Sequence, residues 1–339
     1  MRNRRRPWHD ADRKTAEDFR SQCRSVLSRR SFLTLVGATI GTAARRATAV
    51  EGTEDRLVRS IPSGRFRLCY APHLGLFPRL GGSDEADQVA FLADQGFGAV
   101  EDVGWRARPL AKRRRIVSAM NRYGMTLANF VAWADYQQPS FARPLAQMRE
   151  RLQREIIRAL EVAREAGVRS ITVLLGRRDR RIAMSHQVRC AIDNVRFCVE
   201  LCERAGVTLL IEPTGWPDQW STGRMLIASV EDADRICRAV ASPYCKLVFD
   251  VYRERRAGRD PLTELRLRWT RIGAIQMADF PNRTEPGTGV IDFERVFAFL
   301  IQQEFSGFIG MDHGRSRPGV AGEWAVLAAY RRLDRTYAT

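Results

Sequence analysis

A (β/α)8 barrel, or TIM barrel, is the fold class that the sequence predicts, formed as a single α/β domain after an N-terminal export signal. From residue 66 onward, short apolar runs rich in β-branched residues alternate with longer stretches of helical periodicity. Eight such runs follow one another, as in a closed ring of parallel strands with helices outside it. A doubly wound open sheet is the alternative. It is disfavoured because no run is followed by the Gly-x-Gly-x-x-Gly turn of a dinucleotide site.

The predicted strands are short runs, apolar enough to be buried between helices. They are Phe66–Ala71, Gly98–Glu101, Thr126–Phe130, Ser170–Leu175, Val207–Ile211, Lys246–Asp250, Ile272–Met277 and Gly307–Met311. The predicted helices are Asp84–Gln95, Leu110–Tyr123, Phe141–Ala166, His186–Ala205, Val230–Val240, Leu262–Trp269, Phe293–Glu304 and an eighth at Gly322–Arg335. No linker or low-complexity stretch interrupts residues 66–335, so we expect one domain there.

Residues 1–49 have the composition of a twin-arginine-type signal and basic leader. Arg29 and Arg30 stand directly before Ser-Phe-Leu, a moderately apolar run covers residues 32–44, and a small Ala-Thr-Ala triplet occupies residues 47–49. Such an order predicts export by the twin-arginine route to a periplasmic or other extracytoplasmic location, with cleavage after the triplet. The apolar run is too short for a stable membrane span. A disordered basic arm is the alternative interpretation.

The net charge of +17 does not by itself indicate a nucleic-acid-binding protein. Residues 1–49 hold 12 basic and four acidic side chains, so a charge of +9 remains for residues 50–339. That surplus is spread over helix faces and loops, without helix-turn-helix or zinc-finger spacing and without an aromatic-interleaved basic strand. We therefore expect a small-molecule substrate, attracted to the basic surface where it is anionic, and no nucleic-acid partner. The sequence leaves a homo-oligomer open.

Acidic and amide side chains stand at the ends of four consecutive predicted strands. They are Glu212, Asp250, Gln276 and Asp312. The catalytic groups of a barrel lie at the C-terminal strand ends, where neighbouring strands bring them together. A carboxylate at the end of an apolar strand is costly unless it is paired, hydrogen-bonded or bound to a metal. Three carboxylates and an amide oxygen suit Mg²⁺ or Mn²⁺, so we predict a divalent metal site. Ion pairs with arginines are the alternative for any single acid.

Several motifs from the fifth strand onward resemble a known family. They are Leu210-Ile211-Glu212-Pro213, Phe249-Asp250-Val251-Tyr252, Ile275-Gln276-Met277-Ala278-Asp279-Phe280-Pro281-Asn282-Arg283 and Glu285-Pro286-Gly287-Thr288-Gly289. This pattern resembles the hydroxypyruvate isomerase family of the xylose-isomerase-like barrel superfamily, and the resemblance covers residues 66–315 in element order. It implies a divalent metal held by Glu212, Asp250, Gln276 and Asp312.

The resemblance also implies a role for each residue in the reaction. Glu212 would remove a proton from the carbon next to a polarised carbonyl, giving an enediolate, and Asp312 on the opposite side would return a proton or share the ligand role. Arg283 matches the family's substrate-contacting arginine. Arg253, which stands where the family usually has histidine, would bind a carboxylate or polyol oxygen together with it.

Two other positions depart from the family pattern. Val290 stands where the family usually has glutamate, and Asp312 is one methylene shorter than the family's residue. The expected activity is therefore isomerisation of a small hydroxy-keto acid or sugar. A sugar epimerase of the same superfamily and a catalytically weakened carbohydrate-binding barrel remain as alternatives.

Three further residues lie near the predicted strand ends. We expect Glu101 to hold an arginine rather than to act on a substrate. His73 follows the first strand, where it would line the pocket or pack in a loop. His313 is disfavoured as a fifth ligand, because neighbouring residues on a strand point to opposite faces.

Overall fold

The computed structural model describes residues 65–214 and 225–336. The predicted export signal and its cleavage site therefore lie outside the described residues. Strands and helices follow one another in nearly strict alternation along the described chain. None of the helices described there is both long and apolar enough to cross a bilayer.

The elements of the described chain are short strands and amphipathic helices of very different lengths. The strands are β1 (Cys69–Pro72), β2 (Ala99–Val100), β3 (Thr126–Leu127), β4 (Val131–Trp133), β5 (Ser170–Val173), β6 (Thr208–Ile211), β7 (Cys245–Asp250), β8 (Ile272–Gln276) and β9 (Phe308–Met311). The helices are α1 (Glu85–Asp94), α2 (Leu110–Tyr123), α3 (Leu145–Ala166), α4 (Met184–Arg204), α5 (Val230–Val240), α6 (Val251–Arg256), α7 (Pro261–Arg268), α8 (Phe293–Gln302) and α9 (Gly319–Thr336).

The strands form a parallel ring. Hydrogen-bonded neighbours run in the order β1-β9-β8-β7-β6-β5-β4, and β2 pairs with β3. Directly after β2, the amide of Glu101 donates to the carbonyl of Pro72 in β1 at 3.0 Å. On the other side, the amide of Thr172 in β5 donates to the carbonyl of Phe130, between β3 and β4, at 2.9 Å. Elements adjacent in sequence are thus adjacent in space, and the barrel prediction is confirmed.

Apart from shifts of up to three residues at element ends, the predicted elements differ from the observed ones in three places. The third predicted strand is divided into β3 and β4. Helix α3 begins at Leu145 instead of Phe141, because Pro144 disfavours helical backbone in the residue before it. Helix α6 was not predicted, since its six residues are too few to show a helical period. That short helix starts at the residue after Asp250, which matters for the site.

The barrel interior is lined by small and medium apolar side chains. Leu210, Val248 and Ala274 form one buried cluster, one from each of β6, β7 and β8. Side chains two residues apart on a strand point to the same face. Glu212, Asp250 and Gln276 each follow one of these residues by two positions. Their side chains therefore also point inward, at the C-terminal mouth of the barrel.

Candidate active site

Acidic and basic side chains alternate across the C-terminal ends of β6 to β9. Arg253 donates from Nη2 to Oε1 of Glu212 at 3.0 Å, and its Nε lies 3.0 Å from Oδ2 of Asp250. Arg283 places Nη2 3.2 Å from the same Asp250 oxygen and also pairs with Oδ2 of Asp312. We call these five residues, in the order Glu212, Arg253, Asp250, Arg283 and Asp312, the charge chain.

Arg253 owes its position to the helix that starts at the end of β7. The carboxylate of Asp250 accepts a hydrogen bond from the amide of Arg253 at 3.0 Å, and so caps the first turn of α6. One turn of helix directly after the strand keeps Arg253 above the strand ends. Its Nη1 donates to the carbonyl of Pro213, next to Glu212. The guanidinium thus spans the ends of β6 and β7.

Arg283 sits in the loop after β8, which is organised around the carboxylate of Asp279. That carboxylate accepts hydrogen bonds from the amides of Gly287 at 2.9 Å, Gly289 at 2.8 Å and Ile291 at 3.1 Å. A Cβ on Gly289 would collide with the carbonyl oxygen of Phe280, so only glycine fits there. The loop is therefore a fixed turn.

The conformation of Arg283 itself is unusual and is held from two sides. Its φ of 54° lies in the left-handed region, which non-glycine residues rarely adopt. Its amide donates to the carbonyl of Asp279, and its carbonyl accepts from the amide of Gly314 after β9, both at 2.9 Å. The guanidinium lies over the ring of Tyr252, 4.8 Å from the centroid. This packing directs Arg283 towards Asp250 and Asp312.

Glu101 also belongs to the site, and the expectation that it holds an arginine is wrong. No ion pair joins Glu101 to an arginine within the described residues. The adjacent Asp102 pairs with Arg108 instead. Glu101 is buried beside Gly310 of β9, where a Cβ would collide with its carboxyl group. The sequence signal that could have found it is its place at a strand end, the same signal that found Glu212.

Gln276 links Glu101 to the rest of the mouth. Its side chain hydrogen-bonds to Glu101, which lowers the pKa of that carboxyl. Burial has the larger effect, and with the nearby carboxylates of Asp312 and Glu212 it raises the pKa of Glu101 to about 8. The amide oxygen of Gln276 is buried, and among the described residues it has no hydrogen-bond partner. Its capacity as a hydrogen-bond acceptor is therefore unused among the described residues.

The two predicted catalytic acids differ in their pKa values. Burial raises the pKa of Glu212 against the opposing effect of Arg253, and the carboxylates of Asp312 and Asp250 add to the rise. Burial would also raise the pKa of Asp312, but Arg283 and Arg253 together lower it below its ordinary value. Burial lowers the pKa of Arg253 and Arg283, but Asp250 and Asp312 raise the pKa of both arginines above its ordinary value, and Glu212 adds to the rise at Arg253. Asp312 is therefore held ionised, while Glu212 is the stronger base.

The structure brings together all the predicted site residues, but not in the arrangement of a metal centre. In the part of the chain that the structure describes, no group of three or more His, Cys, Asp or Glu side chains is arranged to hold a metal ion. Each of the three predicted carboxylate ligands is paired with a guanidinium instead. The side-chain arrangement does not fit a divalent cation, and Mg²⁺ or Mn²⁺ binding stays a prediction from the sequence.

Histidines contribute little to the mouth of the barrel. His313 is buried, with Nε2 3.0 Å from the hydroxyl of Tyr330 and Nδ1 2.7 Å from the carbonyl of Gly314. It therefore points away from the charge chain, as the strand alternation predicts. The backbone of His73 pairs with that of Glu101 in an isolated parallel β-bridge, directly after β1 and β2. Its positive form would lower the pKa of Asp312.

A parallel barrel with carboxylates and arginines gathered at its C-terminal mouth has the architecture of a barrel enzyme. The chain belongs to the xylose isomerase-like TIM barrel family, whose pattern it matches over residues 89–331.

Curated relatives extend this assignment and confirm the resemblance to hydroxypyruvate isomerases. The chain is 25% identical to the hydroxypyruvate isomerase of Escherichia coli over 200 residues, covering 58% of this chain and 75% of the relative. It is 30% identical to the 2-oxo-tetronate isomerase of Cupriavidus necator over 251 residues, covering 72% of this chain and 92% of the relative.

Solved structures agree with the fold. The 3-keto-D-glucoside 4-epimerase of Escherichia coli superposes with a TM-score of 0.61 at 17% identity, covering 79% of this chain and 99% of that chain. The D-psicose 3-epimerase of Clostridium cellulolyticum superposes with a TM-score of 0.60 at 15% identity, covering 79% of this chain and 95% of that chain. At these identities the likeness establishes the barrel alone.

Proposed function

We propose that this protein is an isomerase that interconverts the carbonyl and hydroxyl carbons of a small hydroxy-keto acid or sugar by proton transfer. The observation that carries the proposal is the charge chain. Glu212, whose raised pKa makes it the stronger base, lies at one end, and the ionised carboxylate of Asp312 lies at the other. Relatives named hydroxypyruvate isomerase and 2-oxo-tetronate isomerase support the same reaction class.

Glu212 is the proposed base. Its carboxylate takes the proton from the carbon next to the substrate carbonyl, and the electron pair of that C–H bond forms the C=C bond of an enediolate. The raised pKa of Glu212 increases its affinity for that proton. Returning the proton to the former carbonyl carbon completes the isomerisation. No oxidant or reductant is consumed, because the two carbons exchange oxidation states.

Asp312 and Gln276 are proposed to handle the hydroxyl groups. Isomerisation also moves a proton between the two substrate oxygens, and this needs an acceptor that is ionised before the reaction. Asp312, whose pKa Arg283 lowers, is such an acceptor. The amide oxygen of Gln276, to which no described residue donates a hydrogen bond, is proposed to accept one from a substrate hydroxyl.

Arg253 and Arg283 are proposed to bind the substrate through its oxygens. Guanidinium groups suit bidentate contacts with carboxylates, and the surplus positive charge of the chain would attract an anionic substrate. Both arginines already contact carboxylates, so the substrate has to share them with Glu212, Asp250 and Asp312. A hydroxy-keto acid, with a carboxylate and vicinal oxygens, matches this set of donors.

A sugar epimerase is the second candidate. The chain is 25% identical to an L-ribulose-5-phosphate 3-epimerase of Salmonella paratyphi A over 261 residues, covering 82% of that relative. An epimerase removes a proton from one face of a carbon and returns one to the opposite face. The positions of Glu212 and Asp312 at opposite ends of the charge chain are compatible with such a pair.

Solvent-deuterium uptake tests the proposal. Purified protein is incubated in D₂O with hydroxypyruvate, 2-oxo-tetronate and a panel of ketoses, and deuterium at carbon is read by NMR. We expect exchange at the carbon next to the carbonyl, at least about 100-fold slower in Glu212→Gln, as for loss of a general base. An aldehyde product identifies an isomerase, and inversion at the exchanging carbon identifies an epimerase. Unchanged exchange in Glu212→Gln would refute the assigned base.

A further inference from the structure

Arg253 lies where the sequence predicts a divalent cation. Nη2 reaches Glu212 and Nε reaches Asp250, each at 3.0 Å, and Nη1 donates to the carbonyl of Pro213. All three nitrogen atoms of the guanidinium thus face oxygen atoms at the ends of β6 and β7. Only 16% of the Arg253 side chain is exposed, and its two carboxylate partners are also largely buried.

This arrangement leaves poor conditions for a cation at the same place. A divalent ion needs carboxylate oxygens at about 2.0–2.6 Å, and therefore the Glu212 oxygen that accepts a hydrogen bond from Arg253 and the Asp250 oxygen against which the Arg253 Nε lies. Arg283 brings a second guanidinium to the other side of Asp250, at 3.2 Å. A divalent cation bound to Asp250 would be repelled by the guanidinium groups of both Arg253 and Arg283. In the charge chain, two guanidiniums stand against three carboxylates, so most of the negative charge is already compensated.

We infer that the Arg253 guanidinium replaces the divalent cation in this barrel, neutralising Glu212 and Asp250 and presenting N–H donors to the substrate oxygens, so that the site works without a metal. A fixed guanidinium can stabilise developing negative charge on an oxygen, as a cation would. The chemical part of this inference rests on the proposed function. Its binding part concerns the empty protein alone and can be tested without any substrate.

Metal titration of the substrate-free protein tests the binding part. Wild-type protein is treated with chelator, dialysed and titrated with Mn²⁺, with bound ion read by electron paramagnetic resonance and by calorimetry. We expect no saturable site below about 1 mM in the wild type, because the Arg253 guanidinium lies against the oxygens of Glu212 and Asp250 that the ion would need. In Arg253→Ala we expect one saturable site at least about ten times tighter than that limit, because Glu212, Asp250 and Gln276 are then available as oxygen ligands.

Two matched variants control the titration. Arg255→Ala removes an exposed arginine from the same helix, and we expect it to bind Mn²⁺ no better than wild type. Asp250→Asn in the Arg253→Ala background should abolish the new site. Stoichiometric Mn²⁺ binding by the wild type, lost on Asp250→Asn, would overturn the inference. If Arg253→Ala binds no Mn²⁺, then Arg253 does not occupy the place of a cation, and the inference is overturned.

Deuterium exchange by chelator-treated protein tests the catalytic part separately. We expect the exchange rate with the best substrate to be unchanged within twofold by chelator and by added Mn²⁺. Loss of exchange on chelation, restored by Mn²⁺, would overturn the metal-free site while supporting the isomerase. Absence of exchange under all conditions would refute the proposed function, and the titration would still decide whether Arg253 excludes the cation.

Discussion

Arg253 and Glu212 form an ion pair at 3.0 Å although they lie 41 residues apart in the chain. The pair joins the proposed base to the group proposed to stabilise the enediolate. When Glu212 takes a proton from the substrate, its own negative charge disappears and one appears on a substrate oxygen. The guanidinium can then strengthen its contact with the substrate as its contact with Glu212 weakens. This exchange of partners concentrates stabilisation in the transition state, where it accelerates the reaction.

Asp250→Asn should destabilise the protein strongly. Asp250 is buried and contacts both guanidiniums, so its neutralisation removes the one carboxylate that they share and breaks two buried ion pairs. We expect the free energy of unfolding in urea to fall by about 3 kcal/mol, as for other broken buried pairs. Asparagine keeps an oxygen to cap α6, so the loss reports on charge more than on the cap.

A surface ion pair provides the control for that measurement. Asp193 and Arg196 are 3.2 Å apart on α4, with about half of each side chain exposed. Asp193→Asn should cost less than about 1 kcal/mol. Equal losses in the two variants would show that the charge chain is no more stabilising than a surface pair.

Arg283→Met should steepen the acidic limb of the pH–activity profile. Arg283 is a main reason why the pKa of Asp312 lies below its ordinary value, against the opposing effect of burial. Without the guanidinium, Asp312 becomes protonated at higher pH, and its role as ionised acceptor is lost there. In the wild type Glu212 sets this limb, because its pKa is the higher of the two. We expect the slope of log kcat/KM against pH to rise from about one towards about two in the variant, as Asp312 titrates in the same range as Glu212.

A matched variant distinguishes this electrostatic effect from a loss of shape. Methionine keeps the apolar contact with the ring of Tyr252 but has no charge. Arg283→Lys keeps a charge without the planar fork, so its limb should steepen less while KM rises. Identical limbs in wild type, Met and Lys variants would contradict the assignment of Asp312 as the titrating group.

The barrel and most of its mouth were predictable from the sequence because both depend on local patterns. Alternating apolar runs and helical periods gave the elements, and polar residues at the end of apolar runs located Glu212, Asp250, Gln276 and Asp312. Residues at the ends of adjacent parallel strands must lie near one another. Their convergence therefore followed from topology alone.

What occupies the space between those side chains could not be predicted in the same way. Arg253 enters the site because a six-residue helix begins at the end of β7, and so short a helix has no readable period. The sequence predicts an arginine partner for Glu101, but in the structure the neighbouring Asp102 pairs with Arg108. Choosing between adjacent acids depends on which one points inward, and a two-residue strand gives too little pattern to decide.

Gly289→Ala should destabilise the loop after β8. A Cβ at this position would collide with the carbonyl oxygen of Phe280 and crowd the carboxylate of Asp279, and neither is free to move in the fixed turn. We expect a loss of about 3 kcal/mol in unfolding free energy, near the upper end for overpacking, and a raised KM because Arg283 is displaced. Urea unfolding and steady-state kinetics measure the two effects. Gly98→Ala is the control, since its Cβ would meet only the sulfur of Cys69, at an ordinary 3.8 Å, and should cost far less.

Glu101→Gln should change how stability depends on pH. The folded-state pKa of Glu101 is about 8, raised by burial and by the carboxylates of Asp312 and Glu212, against an ordinary value of 4.5. The folded protein therefore holds a proton that the unfolded chain has lost, and this group's contribution to stability is full below pH 4.5 and falls as pH rises towards 8. Glutamine is neutral at all pH values and does not lose that contribution.

The difference in unfolding free energy between Glu101→Gln and wild type should therefore increase in favour of the variant between pH 5 and pH 8.5. Each unit of pKa shift corresponds to about 1.4 kcal/mol, so we expect a relative gain on the order of 4 kcal/mol across this range. Urea unfolding at closely spaced pH values measures it, and taking the difference cancels the titration of groups common to both proteins. Asp193→Asn, on an exposed helix face, should show no such trend. A flat difference would mean that Glu101 is already ionised at neutral pH, and that the mouth of the barrel carries one more negative charge than the pKa of Glu101 indicates.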